Sequence, residues 1–369
     1  MSNPQCEIRC HSLSPHLQQL YTGFSMLHSQ GRIRLKQTIV DSPRALHARS
    51  DQHLNHAGHA HLDVVLDGSV RLHFDTHDAM ELAEVALDDC DIYFKRSYCS
   101  KFVGKLAPAL RQKVFPLGLN YNVYPDSYDL LGAVRGIMLG DGIARSLKRA
   151  LDTENYFGYV PRLRDLEARP ENSPEPRILF LARAHSPEGN PDLAAEKSEE
   201  RREINETRAK CIRLLRKRFG DRFTGGFESS SFANEKYPDL VVRNQTLTSK
   251  RNYLSLMKRH HVCIATNGLH GSNGWKLAEY VSCSKAILSE PLRFEVPGTF
   301  APDRNYLEFS TPEECIERAE EAMLNDKVRM RLMENNAEYY QAHLRPDKLV
   351  LNALSLVQGA RLGVEPALA

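Results

Sequence analysis

Apolar and polar positions along the chain switch repeatedly between a two-residue and a 3.6-residue spacing. CEIRCHSL (Cys6 to Leu13) reads as a short strand, LQQLYTGFSMLHSQG as an amphipathic helix ending at Gly31, and IRLKQTIVD as a β-branched strand. That order opens a βαβ unit. Further strands are expected at HLDVVLDG and VRLHFDTHD, a helix at AMELAEVALDDC, and strands at DIYFKRSY and KVFPLG. Strands interleaved with helices predict a mostly parallel, doubly wound sheet.

Between Leu151 and Arg177 the pattern lapses into the polar, proline-rich YVPRLRDLEARPENSPEPR, the expected linker. The alternation then restarts. RILFLARAH has the signal of a buried strand. A long charged helix from Asp192 to Phe219 follows, then strands RFTGGF and DLVVRN, helix SKRNYLSLMKRH and strand HVCIAT. Strands KAILSE and NYLEFS, helix TPEECIERAEEAML and a helical region from Lys327 complete the chain. The expected fold is α/β: two doubly wound Rossmann-like domains facing a cleft, with residues 1–165 on the acceptor side, 166–176 as linker and 177–369 as the nucleotide-sugar side. No internal repeat or low-complexity segment is present.

Composition adds limits. The chain has 369 residues, enough for two cores, and carries 49 basic and 47 acidic residues for a formal charge of +2. Near balance means that nothing global demands a nucleic-acid or membrane partner, so no nucleic acid is expected and any basic function is local. The eight cysteines are scattered without a C-x-x-C pair, as expected of reduced thiols. No apolar run approaches a membrane span, and MSNPQCEIRCHSLSPH lacks the regions of a signal peptide, so a cytoplasmic protein is expected.

NGLHGSNGWKLAEYVSCSKAILSEP, Asn267 to Pro291, is the most informative stretch. A strand, a glycine-bearing loop and a helix N-terminus together form an anion site, because first-turn amides point outward and the helix dipole adds about half a positive charge. Gly268, Gly271 and Gly274 let a ligand approach closely, Lys276 adds a point charge, and Glu279 can accept hydrogen bonds from sugar hydroxyls. A nucleoside diphosphate linked to a sugar would use both ends. The bland alternative is an ordinary loop followed by a surface Lys–Glu pair at i and i+3.

From RILFLARAH to NALSLVQ the chain resembles the nucleotide-binding half of GT-B glycosyltransferases, of the bacterial group 1 or family 4 kind. LAEYVSCSKAILSEP matches that group's glutamate-bearing helix and its A-x-x-x-G-K-P-V-I strand, and PGTFAPDRNYLEFSTPEECIERAEEAMLND resembles the segment that follows. The resemblance implies a donor site of Arg183, Lys250, Arg251, Gly271, Ser272, Asn273, Gly274, Lys276 and Glu279, with Glu279 on the ribose. Two positions depart from the family: Gly271 stands where retaining members have an earlier glutamate, and Glu188 stands where an Arg–Lys pair would place its lysine after Arg183.

Sugar transfer needs a base for the acceptor hydroxyl and stabilisation of the departing diphosphate. Asp75 and His77 in FDTHD, and His11 at the end of the first strand, are the candidate bases. Asp78 reads instead as a helix cap, with Glu81 completing a capping box. His47, His53, His56, His59 and His61 form a histidine-rich segment expected to contact acceptor rather than metal. Lys95 to Tyr98 could face an anion or solvent. RAKCIRLLRKRF reads as a helix with a solvated basic face, a membrane contact being the weaker alternative.

The resulting expectation is a metal-independent glycosyltransferase without cofactor. It would move a sugar from a nucleotide-diphosphate donor to a glycan, lipid-linked or other hydroxyl acceptor in bacterial surface-polysaccharide or glycoconjugate synthesis, at or near the inner membrane face. A non-catalytic nucleotide- or glycan-binding protein of the same fold is the alternative, kept open by Gly271.

Overall fold

The computed structural model describes residues 3–40, 60–156, 160–188, 194–244 and 249–361. Two compact units result: residues 1–164 with 294–299 and 341–369, and residues 165–293 with 300–340.

The first unit is built on a six-stranded sheet, in the order β2-β1-β3-β4-β5-β6. Its strands are β1 (Gln5–Cys10), β2 (Arg34–Ile39), β3 (His61–Leu66), β4 (Val70–Asp75), β5 (Ile92–Lys95) and β6 (Val114–Pro116). All the pairings are parallel except those of β3, which runs against both β1 and β4. The reversal comes from Asp67-Gly68. Both residues have positive φ, 50° and 68°, and Ser69 N–H donates to Leu66 O at 3.1 Å, a tight hairpin of the Asp-Gly kind. That dipeptide was visible in the sequence and marks β3 and β4 as a hairpin inside an otherwise parallel sheet.

One face of this sheet is apolar: Cys6, Ile8, Leu62, Val64, Leu72 and Phe74 are buried. Leu20, Phe24 and Leu27 from the helix Gln18–Ser29 cover it, together with Val350, Ala353 and Leu354 from the helix Pro346–Arg361. These two helices cross closely, since a Cβ on Gly23 would lie 2.2 Å from the Pro346 carbonyl oxygen. The terminal helix, expected with the second domain, therefore belongs to the first unit. Its apolar stripe completes a core that the Gln18–Ser29 helix leaves half covered.

The helix expected over AMELAEVALDDC is short, Glu84–Asp89, with Ala83 as its N-cap. Asp78 is therefore no cap: its carboxylate receives the Arg96 guanidinium, and its carbonyl accepts from Ser97 Oγ at 2.6 Å.

The second unit has a five-stranded, wholly parallel sheet, in the order β11-β10-β9-β7-β8. Its strands are β7 (Ile178–Ala182), β8 (Phe223–Phe227), β9 (Val262–Ala265), β10 (Ala286–Ser289) and β11 (Tyr306–Glu308). The four residues each of β9 and β10, like the five of β7, are all buried, as expected of strands covered on both faces. DLVVRN is not a full strand, and its ladder contact is a single bridge from Val241 to Phe227.

The segment expected as linker is anchored in this unit. Arg329, wholly buried, donates to Asn172 Oδ1 at 2.8 Å and to Ser173 O at 3.0 Å. The crossover instead falls at Arg164–Asp165.

Candidate functional site

In the second unit β7 comes first in the chain, and the sheet then grows to β8 on one side and to β9 on the other. The carboxyl ends of β7 and β9 are thus a topological switch point, where parallel α/β sheets bind ligands. The two strands pair only at Ile178–Val262 and Leu179–Cys263, then part. Two cations serve the carbonyls that this parting and the following loops leave over. Lys276, in the first turn of the helix Trp275–Ser282, donates from Nζ to Leu181 O. Arg208, from the helix Ala195–Phe219, donates to Arg183 O at 2.7 Å, Asn267 O at 2.8 Å and Thr266 Oγ1 at 2.9 Å. Burial pushes Lys276 down to about 8 and Arg208 down to about 10.

The glycine loop closes on itself. Gly268 N–H donates to Ser272 O at 2.9 Å, and Ser272 N–H donates to Leu269 O at 3.2 Å. Ser272 and Asn273 are buried. Of the three glycines only Gly271 lies in the left-handed region, at φ 64°, so the need for glycine is conformational there and not at Gly268 or Gly274. Glu290, at the end of β10, accepts the Asn267 N–H at 2.7 Å, and burial pushes its carboxyl up.

Glu279 is buried at 2% exposure and receives the Lys250 ammonium. Two residues expected at the donor site are thereby brought together from different helices. Arg183 is exposed and pairs with Glu228 at 2.7 Å. Arg251 is exposed on the solvent side of the helix Lys250–Lys258.

In the first unit, residues on the polar face of the sheet gather at the carboxyl ends of β1, β4 and β5. The His11 ring stacks on His61 at 4.1 Å, His61 on His73 at 5.1 Å, and His73 meets Tyr93 at 4.8 Å. Asp63 bonds His73 Nδ1 at 2.7 Å. His11 Nε2 is buried without a hydrogen-bond partner; desolvation, then the neighbouring His61, lowers its pKa to about 4.

Asp75 is differently placed from a free base. It accepts from Lys95 Nζ at 2.8 Å, Tyr93 OH at 2.5 Å and the His77 N–H at 2.8 Å. Burial pushes its carboxyl up, but the Lys95 charge and these donors outweigh burial and hold it below the usual range. A carboxylate so committed is a poor proton acceptor. His77 is half-buried and tied to this network through its backbone.

Among the described residues no three His, Cys, Asp or Glu side chains are placed to hold a metal ion. His47, His53, His56 and His59 lie outside the described residues. No described helix is long and apolar enough to cross a membrane. On the helix Ala195–Phe219, Cys211, Ile212, Leu215 and Phe219 are buried in the core, so its apolar side is not open to a membrane.

Sequence reasoning missed Arg208 and Glu290. Asn205 and Arg208 fall in phase with buried Ile212 and Leu215 on the long helix. A polar residue in an apolar register was the available signal. Asn205 uses it in the same way, bonding His185 N at 2.8 Å and His185 O at 2.7 Å.

A search of the curated proteins finds no match. Among solved structures, one described as a UDP-N-acetylglucosamine 2-epimerase from Listeria monocytogenes shares 8% identity over 97% of this chain and 96% of its own, at TM-score 0.44. WaaG, a glycosyltransferase involved in lipopolysaccharide biosynthesis, shares 12% over 95% and 98%, at TM-score 0.35. The C-terminal domain of the group 1 glycosyl transferase LpcC from Francisella tularensis shares 10% over 47% and 93%, at TM-score 0.32. No residue role is taken from likenesses of this size. Residues 201–354, less than half of the chain, match the family model described as Glycosyl transferase-like.

Proposed function

We propose that the protein transfers a sugar from a nucleotide-diphosphate donor to a hydroxyl acceptor, a glycan or a lipid-linked saccharide, in the building of a bacterial surface polysaccharide or glycoconjugate. The observation that carries this reading is the convergence of Lys276 and Arg208 on the β7/β9 switch point, beneath the first turn of the Trp275–Ser282 helix. The family match over residues 201–354 supports it.

In this reading the diphosphate lies against the helix N-terminus. The helix dipole and Lys276 meet the charge that develops on the leaving group, so no metal is needed. Arg208 donates to both loop ends and acts as a positioning residue for them. Arg183 is exposed and can exchange Glu228 for phosphate. Glu279, on the same helix as Lys276, accepts from the ribose when the nucleotide displaces Lys250.

His11 is the better placed base of the three candidates. Its buried Nε2 has no hydrogen-bond partner in the structure, unlike the Asp75 carboxylate, although burial lowers the basicity of the ring. Asp75 serves the network that holds Lys95.

The test is thermal unfolding of the full chain against UDP, GDP, ADP and CMP, followed by transfer assays with the matching nucleotide-sugar. A ligand at about 100 times its dissociation constant adds roughly 2.7 kcal/mol to the native state. A shift with one nucleotide and turnover of its sugar donor is expected. A shift without turnover across acceptors would favour the non-catalytic binding protein. No shift with any nucleotide would remove the donor site.

A further inference from the structure

In the first unit, the helices Leu130–Met138 and Ile143–Leu151 form a hairpin whose inward side is small or polar. A Cβ on Gly136 would lie 2.5 Å from Ser146 Oγ, so the two helices meet at small residues. Arg135 donates to Gln37 Oε1 at 2.7 Å on edge strand β2 and lies 3.8 Å over the Tyr21 ring, while Gln37 Nε2 donates back to Leu131 O at 2.9 Å. Buried Arg162 donates to Arg149 O at 2.7 Å. These bonds fix which side of each helix looks outward.

The outward side is apolar at i, i+4 and i+8: Leu130, Val134 and Met138, then Ile143, Leu147 and Leu151, each between 39% and 63% exposed. Tyr128 and Tyr156, which flank the open end of the hairpin, are 66% and 79% exposed. Of the ten large apolar side chains exposed among the described residues, eight belong to this hairpin and its flanks, so the exposure is one patch and not scatter. A helix that merely closes a core turns such residues the other way.

The charges around the patch are settled within the chain. Asp141, at the hairpin turn, pairs with Arg145 at 3.3 Å and Arg149 at 2.6 Å, and Arg164 pairs with Glu154 at 2.6 Å and Asp126 at 3.4 Å. Asp129 and Asp152 accept the backbone N–H of Gly132 at 2.9 Å and of Tyr156 at 2.7 Å. From Asp126 to Tyr156 four cations stand against five carboxylates, so the hairpin has no excess charge with which to draw a strongly acidic or basic partner.

We propose that this face joins the chain to a second copy of itself in a two-fold dimer. A two-fold contact sets the same patch on both partners, so the patch must tolerate its own likeness. An apolar face with its charges already paired does; a face of one sign would not. Eight large apolar side chains at these exposures offer on the order of 800 Å² per copy, the share that a standard interface takes from each partner. Rows at i, i+4 and i+8 are the ridges that interdigitate when helices pack face to face. Tyrosines at one margin can cover apolar surface while their hydroxyls stay wet.

The test is sedimentation velocity of the full chain over a wide range of concentration. A dimer that dissociates on dilution is expected. Val134→Glu with Leu147→Glu should give a monomer with an unchanged circular dichroism spectrum, since both sites are exposed. Val134→Thr with Leu147→Gln places no charge on the helices and should raise the dissociation constant by about a hundredfold. Val85→Glu, at an apolar residue 71% exposed elsewhere in the first unit, should leave the dimer intact. A monomer at every concentration would overturn the proposal, as would a dimer indifferent to both hairpin pairs or equally sensitive to Val85→Glu. So would a monomer that floats with phospholipid vesicles through this face, which would give the patch to lipid. Association is read without nucleotide or sugar transfer, so failure here leaves the donor-site reading standing.

Discussion

The Arg208 guanidinium donates to the Arg183 carbonyl oxygen at 2.7 Å, and through its other Nη to Asn267 O at 2.8 Å. One side chain on the long helix thus holds the loops that leave β7 and β9 at a fixed separation. Arg208→Ala should lower stability by about 2–4 kcal/mol, by removing charge-assisted bonds and leaving their acceptors open. Nucleotide affinity should fall on the order of tenfold, because both loops lose their register. Arg208→Lys keeps the charge but not the planar fork, so it should recover little of either loss. Full recovery in calorimetric unfolding and titration would reduce the role of Arg208 to charge alone.

Glu279 and Lys250 give a prediction with a coupling in it. Lys250→Ala leaves a buried carboxylate without its partner, and should cost about 1–3 kcal/mol in denaturant unfolding. Glu279→Gln should cost less, because Lys250 is 40% exposed and water can solvate it. The double variant should sit well above the sum of the two losses. For binding the order reverses: Glu279→Gln should weaken nucleotide affinity about tenfold and Lys250→Ala less. An unchanged dissociation constant in Glu279→Gln would reject the ribose role.

Asp75 and Lys95 form a buried pair, 5% and 1% exposed at the side chain. Asp75→Asn leaves Lys95 uncompensated and should destabilise by about 3–5 kcal/mol. Asp75→Asn with Lys95→Met should recover most of that loss. If Asp75 were instead the base of the transfer reaction, the double variant would be stable but inactive. Transfer assays on the folded double variant therefore separate a structural carboxylate from a catalytic one.

The strands were legible because each has a local signal. β7, β9 and β10 are continuous apolar runs, and covered parallel strands read that way. The glycine loop and the Trp275–Ser282 helix were legible for the same reason, since a strand end followed by Gly, Asn and Ser and then a helical period is local information. What stayed hidden depends on distant partners. The Pro346–Arg361 helix has the same period whichever core it joins, and only its fit over Gly23 assigns it to the first unit. Asp75 in FDTHD looks like any carboxylate at a strand end until Tyr93 and Lys95 arrive from the neighbouring strand. The inverted Leu130–Met138 helix shows an ordinary amphipathic period, and the period does not say which side faces the solvent.

Three histidines set the acid limit of the fold. His11, His185 and His260 each have their pKa lowered to about 4, by desolvation first in every case; Arg208 adds to it at His185, while at His260 a bond to Leu256 O at 2.7 Å opposes it. In the unfolded chain these rings take up protons from about pH 6.5 downward. The native rings stay neutral until about pH 4, so between these values the unfolded state holds more protons and stability falls as pH falls. Each excess proton adds a slope of about 1.4 kcal/mol per pH unit. Urea midpoints measured from pH 7 to pH 4 should therefore fall steeply. His260→Gln should flatten the fall by one proton, because His260 is only 3% exposed and lies in neither candidate site. A fall confined to pH below 4 would assign the acid limb to carboxylates such as Asp75, whose lowered pKa contributes stability that is lost only there.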